Sequence, residues 1–168
     1  MANTKDLNNV VRDLMDKFIV LCKKNGVDVL ITQGVRTTEY QNSLYAQGRT
    51  TPGKIVTNCK GGYSPHNYGL AFDFVLLTNG RVDWDSRNKN WEKAGKIGES
   101  IGLTWGGRWR APYMVDLPHF EYMFGLSITD LRKGKRPEKL IKISSVKELA
   151  NLKESDIMRI GKDIYKKI

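Results

Sequence analysis

The stretch Ser64-Pro65-His66-Asn67-Tyr68-Gly69-Leu70-Ala71-Phe72-Asp73 places an imidazole and a carboxylate seven residues apart, with a glycine between them. Its second half reads as a strand over residues 68–77. In an extended chain Ala71, Asp73 and Val75 share one face, and Leu70, Phe72, Phe74 and Leu76 share the other. A carboxylate on a strand this apolar is costly to bury unless it is paired or bound to a metal. A second short motif, Asp116-Leu117-Pro118-His119, adds another carboxylate and the only other histidine of the chain. Two imidazoles, one carboxylate and a spare acid make up the donor set of a catalytic zinc site, with three protein ligands, an open position and a general base. His66, Asp73 and His119 are the candidate ligands, for one zinc ion per chain. Asp116 is the candidate base, brought in by a turn at Pro118.

The flanking sequence fills in a scaffold. Leu7, Val10, Val11, Leu14, Met15, Phe18, Leu21 and Cys22 recur at helical spacing over residues 4–25, and Asn25-Gly26 is a stop signal. Val27 to Val35 reads as a strand. Thr38 with Gln41 fits a capping box opening a helix through about Gln47. Residues 48–63 read as loop. Val82 to Trp84 pairs back as a short strand, residues 90–101 form a helix, residues 103–105 a strand, and residues 119–124 the last strand. The expected fold class is α+β, an antiparallel sheet flanked by helices.

Arg36 follows the first strand directly. Its guanidinium suits an oxyanion or a substrate carboxylate. Ser64 is a candidate to hydrogen-bond substrate or to orient His66. Trp105, Trp109 and Tyr113 read first as packing residues, with Trp105 the candidate substrate contact. Glu121 shares a strand face with His119 and is a rival acid, although an outward salt bridge explains it equally well. Taken singly, each histidine could be an ordinary core or surface residue, Asp116 a turn residue and Arg36 half of an ion pair.

The chain has 168 residues, 40% hydrophobic and 27% charged, which is ordinary for a globular protein. It lacks an apolar run of membrane-spanning length, so membrane insertion is not expected. Charged residues interrupt the most apolar N-terminal stretch, so a cleaved secretory signal is not expected either. Cys22 and Cys59 are isolated in sequence, so no thiolate zinc site is readable, and a disulfide between them is not expected. Of the net charge of +10, residues 132–168 carry +7, from twelve Lys/Arg against five Asp/Glu. Composition shifts near Lys133-Gly134-Lys135-Arg136-Pro137. The expected division is a catalytic domain over 1–131 and a basic appendage over 132–168, with short helices at 146–152 and 157–168. A basic tail favours anionic polymers, or it is simply a solvated face.

These motifs resemble the zinc D-Ala-D-Ala carboxypeptidase and L-alanyl-D-glutamate peptidase family (M15). Ser64-x-His66-x-x-Gly69-x-Ala71-x-Asp73 and Asp116-x-x-His119 carry the resemblance, which spans roughly residues 5–125. Gly34-Val35-Arg36-Thr37 matches the family's strand-end arginine. Leu103-Thr104-Trp105-Gly106-Gly107 and Pro118-His119-Phe120-Glu121 look like its phage endolysin branch. The resemblance implies a hedgehog/DD-peptidase-like fold. It implies zinc on His66, Asp73 and His119, Asp116 as base, and Arg36 stabilising the substrate oxyanion. Its implied substrate is bacterial peptidoglycan, cut between L-alanine and D-glutamate. A D-Ala-D-Ala carboxypeptidase or dipeptidase is the alternative among enzymes. From another class, the alternative is a zinc-stabilised module binding wall polymer or nucleic acid without catalysis. The spare acid speaks against that module, and nucleic acid is not the expected partner. The endolysin resemblance further implies a monomer made in the host bacterial cytoplasm and acting on the wall after release, with the tail contacting anionic wall polymers.

Overall fold

The computed structural model describes residues 2–137. The first helix, α1 (Asn9–Lys24), begins later than its apolar periodicity suggests, because Asn8 caps it by accepting a hydrogen bond from Val10 N. The preceding residues turn instead: Asn8 N–H donates to Gly69 O at 2.9 Å, and Val35 N–H donates to Asn3 O at 2.8 Å. These bonds tie the N-terminal segment to the two loops that carry Arg36 and His66.

Strands β1 (Asp28–Gln33), β2 (Ala71–Thr78), β3 (Arg81–Asp83), β4 (Thr104–Trp105) and β5 (His119–Glu121) form one antiparallel sheet in the order β1-β2-β5-β4. β3 pairs with the far end of β2. Helix α2 (Thr38–Ala46) follows β1, and α3 (Asn90–Ser100) precedes β4. The expected α+β architecture is the one observed.

The alternation along β2 sorts its side chains. Phe72 and Phe74 lie in an aromatic cluster with Phe18 of α1 and Phe120 of β5, with ring centroids 4.9–6.0 Å apart. Val11, Met15, Phe18 and Cys22 are the buried stripe of α1. From α3, Gly95 and Gly98 lie so close to Trp105 and Phe120 that a Cβ on either would collide with the ring. Helix and sheet therefore share one apolar layer, and burying a phenylalanine in it contributes roughly 1.5–3 kcal/mol. Asp73, one residue on from Phe72, falls on the opposite face.

Several local expectations shift. The cap of α2 is Thr37, whose side chain accepts from Tyr40 N–H, and not a Thr38–Gln41 box. Gln41 is instead fully buried. The last strand stops at Glu121, and the chain turns through left-handed Phe124 (φ 54°) and Gly125 (φ 73°). A further short helix, α4 (Ile128–Arg132), follows. It is opened by a reciprocal capping box between Ser127 and Asp130, a signal present in the sequence but attached to only five helical residues. Cys22 and Cys59 are free thiols. No helix of the described residues is long and apolar enough to cross a membrane.

The compact unit Met1–Pro137 takes in the first six residues beyond the expected boundary at 131/132. Arg136 Nη1 donates to Leu131 O within it. The helices expected over 146–152 and 157–168 lie outside the described residues.

Candidate metal centre

His66 is placed by a single 3₁₀ turn, Pro65–Tyr68. Ser64 caps that turn by accepting from His66 N–H, and Gly69 closes it in the left-handed region (φ 69°). That φ strains any other L-residue, so glycine is required between loop and strand. Arg36 N–H donates to His66 O at 3.1 Å, and the Asn67 amide donates to Arg36 O at 3.0 Å. The turn is thereby fastened to the end of β1. Ser64, expected to bind substrate or orient His66, is buried, with its hydroxyl on His66 N–H.

Asp73 and His119 meet through sheet register. They are direct partners across β2 and β5, and Gln33 of β1 pairs with Asp73 on the other side beside a register shift. Directly opposed residues share a face, so an acid and an imidazole from positions 46 apart in sequence become neighbours.

The three ligand atoms form a nearly equilateral triangle. His66 Nε2 is 3.1 Å from Asp73 Oδ1 and 3.2 Å from His119 Nδ1, and His119 Nδ1 is 3.1 Å from Asp73 Oδ1. A tetrahedral zinc with bonds of about 2.0–2.1 Å separates its ligands by about 3.3–3.4 Å, so the triangle is close to the required size. The outer nitrogens agree. His66 Nδ1 is 2.7 Å from Gly34 O, which can only accept, so that nitrogen carries the proton and Nε2 presents a lone pair. His119 Nε2 is 3.2 Å from Glu121 Oε2. A metal-binding imidazole characteristically gives its other N–H to a carbonyl or a carboxylate. The residues present therefore fit a bound cation, and His66, Asp73 and His119 form a group able to hold one.

Charge reinforces this. Burial would raise the Asp73 pKa, but the two imidazoles outweigh it and hold the carboxyl well below the usual range. Burial lowers His66, favouring the neutral ring. Burial also opposes charge on His119, yet hydrogen bonds to Asp73 and Glu121 raise its pKa to about 9.

Asp116 sits at the start of a turn in which His119 N–H donates to Asp116 O at 3.3 Å, the geometry that brings the two motif ends together. Asp116 N–H donates to Gly106 O at 3.1 Å. Burial raises its carboxyl above the ordinary range, against the pull of the His119 imidazole. Among the described residues its carboxyl accepts no hydrogen bond, which leaves its lone pairs available.

Arg36 lies against the candidate ligands. Its Nη2 is paired with Asp73 Oδ2, Nε donates to Gln33 Oε1 at 3.3 Å and Nη1 to Gln41 Oε1 at 3.4 Å. Each of the three nitrogens has a protein acceptor, so Arg36 orients a candidate ligand, and its second N–H groups on Nη1 and Nη2 are left over for a further acceptor. Trp105 is corrected. It is 2% exposed, its indole N–H donates to Leu117 O at 2.8 Å, and it offers no surface to a substrate. The aromatic beside the centre is Trp109, whose ring lies 5.0 Å from that of His119. Glu121 is the residue whose part the sequence left undecided. Its spacing of two from His119 on one strand was the available signal.

Comparison with known proteins agrees with the geometry. A family model described as D-alanyl-D-alanine carboxypeptidase matches residues 57–122. Peptidoglycan L-alanyl-D-glutamate endopeptidase CwlK of Bacillus subtilis (strain 168) is 40% identical over 129 residues, covering 72% of this chain and 76% of that protein. L-alanyl-D-glutamate peptidase of Listeria phage A118 is 27% identical over 164 residues, 96% of this chain and 54% of that protein. The crystal structure of Serratia marcescens L-Ala D-Glu endopeptidase ChiX superimposes with a TM-score of 0.53 at 21% identity, over 73% of this chain and 84% of that one, a likeness of fold. A buried two-histidine, one-carboxylate centre on an antiparallel sheet defines a class of metallopeptidase. The chain belongs to the M15 peptidase family.

Proposed function

We propose that this protein is a zinc-dependent peptidoglycan endopeptidase that hydrolyses the bond between L-alanine and D-glutamate in the stem peptide. The triangle of His66 Nε2, Asp73 Oδ1 and His119 Nδ1 is the observation that carries the proposal. The 40% identity to an enzyme named for that bond supports its specificity.

His66, Asp73 and His119 would hold the zinc, which would supply a Lewis acid and lower the pKa of a bound water. The protein does the rest. Gly34 O and Glu121 fix the ring orientations, and Arg36 fixes the Asp73 carboxylate. Asp116, with its pKa raised by burial, is the base that takes a proton from the attacking water and returns it to the leaving amine. A carboxyl whose pKa is raised is a stronger proton acceptor once ionised.

The cellular setting we infer is lysis of a host bacterium from within, by enzyme made in the cytoplasm and released to the wall. The phage relative supports this, since its alignment takes in 96% of the chain and so reaches into the basic tail. We assign that tail to anionic wall polymer on its charge.

Mass spectrometry of digested muropeptides tests the bond. New N-terminal D-glutamate is the expected product; released D-alanine instead would overturn the assignment. Asp116→Ala is expected to keep zinc and lose activity by about 10²–10⁴-fold, whereas His66→Ala loses the metal as well. Full activity in either variant refutes the site.

A further inference from the structure

Beside the metal centre lies a cavity of about 480 Å³, lined by Tyr45, Asn58, Cys59, Lys60, Tyr63 and Ile128. It adjoins the centre through its own wall. The Gln41 side chain donates to Cys59 O at 2.9 Å and accepts from Arg36 Nη1. The Asn58 amide donates to Met114 Sδ at 3.0 Å, on the loop leading to Asp116. Cys59 also feels the charges of Glu121, Arg36 and Asp116.

The rim of this cavity carries positive charge with no counter-charge among the described residues. Lys60 Nζ stands 5.5 Å from the centroid of the Tyr45 ring, and the Arg132 guanidinium lies 3.8 Å from that of Tyr63. Arg132 is one helical turn beyond Ile128, on the same side of α4. Neither cation has a carboxylate or hydrogen-bond partner among the described residues. Elsewhere on the same unit Arg108 pairs with Glu92 and Glu99, Lys23 with Asp28, and Lys135 with Asp130. The third nearby cation, Arg49, is already bonded to Tyr45 O, Thr57 O and Asn58 Oδ1. Two cations with unused donors, held against tyrosine faces at the edge of one cavity, make an anion site.

The substrate chemistry supplies an anion. Glutamate has two carboxyl groups, and continuing the peptide chain uses only one. A peptidase cutting on the amino side of glutamate therefore meets a free carboxylate on the leaving side, on the residue that carries the scissile nitrogen. Arg36 is already turned onto Asp73, Gln33 and Gln41. We propose that the Tyr45–Tyr63 cavity is the subsite for this carboxylate, with Lys60 and Arg132 as its counter-charges. This rests on the L-alanyl-D-glutamate reading above.

The test compares two synthetic L-alanyl-D-glutamyl peptides with the zinc-loaded full chain. In one the glutamate's spare carboxyl is free, and in the other it is an amide. The wild type is expected to prefer the acid by at least about tenfold, chiefly through KM, as a charged hydrogen bond of about 1.5–3 kcal/mol requires. The Lys60→Met/Arg132→Met double variant should lose that preference while keeping its zinc and melting temperature. Lys60→Arg should retain it. Equal use of acid and amide by the wild type, or a preference that survives in the double variant, overturns the subsite. If the wild type cuts neither peptide, the bond assignment fails. Calorimetric binding of the same pair then decides the subsite: acid preference lost in the double variant supports it, and equal affinities overturn it. Anionic wall polymer is the competing occupant. Walls that release the double variant, with the peptide preference intact, would assign the cations to that polymer and overturn the proposal.

Discussion

Glu121 Oε2 stands 3.2 Å from His119 Nε2, on the opposite side of the ring from the nitrogen that faces Asp73 and His66. One carboxylate thereby fixes the tautomer and rotation of a candidate ligand that is itself only 4% exposed. Partners of this kind typically contribute 10–100-fold to metal affinity. Glu121→Ala is expected to weaken zinc binding by about that factor, with Glu121→Gln intermediate. Competition against a chromophoric chelator measures it. An unchanged affinity in the alanine variant would return Glu121 to the outward salt bridge.

Gly106 supports Asp116. A Cβ at Gly106 would fall 2.5 Å from Asp116 O and 3.1 Å from His119 Cβ, and the first of these is backbone. Gly106→Ala must therefore push the 116–119 turn outward. A displacement near 1 Å at a reacting group lowers rate by about 10²-fold. The expected result is a folded protein with a kcat lower by about two orders of magnitude and a loss of roughly 1–3 kcal/mol of stability from overpacking. Peptide turnover and a thermal melt read the two effects. Wild-type kcat would mean the turn does not place the base.

Zinc uptake should release a proton. In the metal-free protein His119 has its pKa raised to about 9, so it is an imidazolium at pH 7.5, while burial keeps His66 neutral. Binding through His119 Nδ1 requires the neutral ring, and the proton must leave. Calorimetry in buffers of different ionisation enthalpy is expected to show about one proton released per zinc at pH 7.5, falling as pH rises through 9. No proton release at pH 7.5 would show that His119 is already neutral or is not a ligand.

Much of this site is written in local sequence. The His66-to-Asp73 segment encodes a capped turn, a glycine with obligatory positive φ, and a strand whose alternation puts Phe72 and Asp73 on opposite faces. Each depends on residues within one turn or one strand period, so the chain specifies it without reference to the rest of the fold. The α1 stripe is legible for the same reason, and its true start was blurred because the cap at Asn8 outweighs the apolar spacing before it. α4 escaped notice because five residues give no periodicity, although its capping box is in plain view.

The tertiary structure decided what distance along the chain conceals. Register between β2 and β5 sets Asp73 directly against His119, and no pattern inside either strand states that pairing. Packing decided that Trp105 is buried beneath the glycines of α3 while Trp109 lies beside the centre, two tryptophans that composition cannot tell apart. Long-range pairing also drew Arg36 onto Asp73 and left Lys60 and Arg132 without counter-charges among the described residues. Local free energy depends on neighbours in sequence; which lone pairs converge on one point, and which charges go unanswered, depends on segments that meet only once the core has closed.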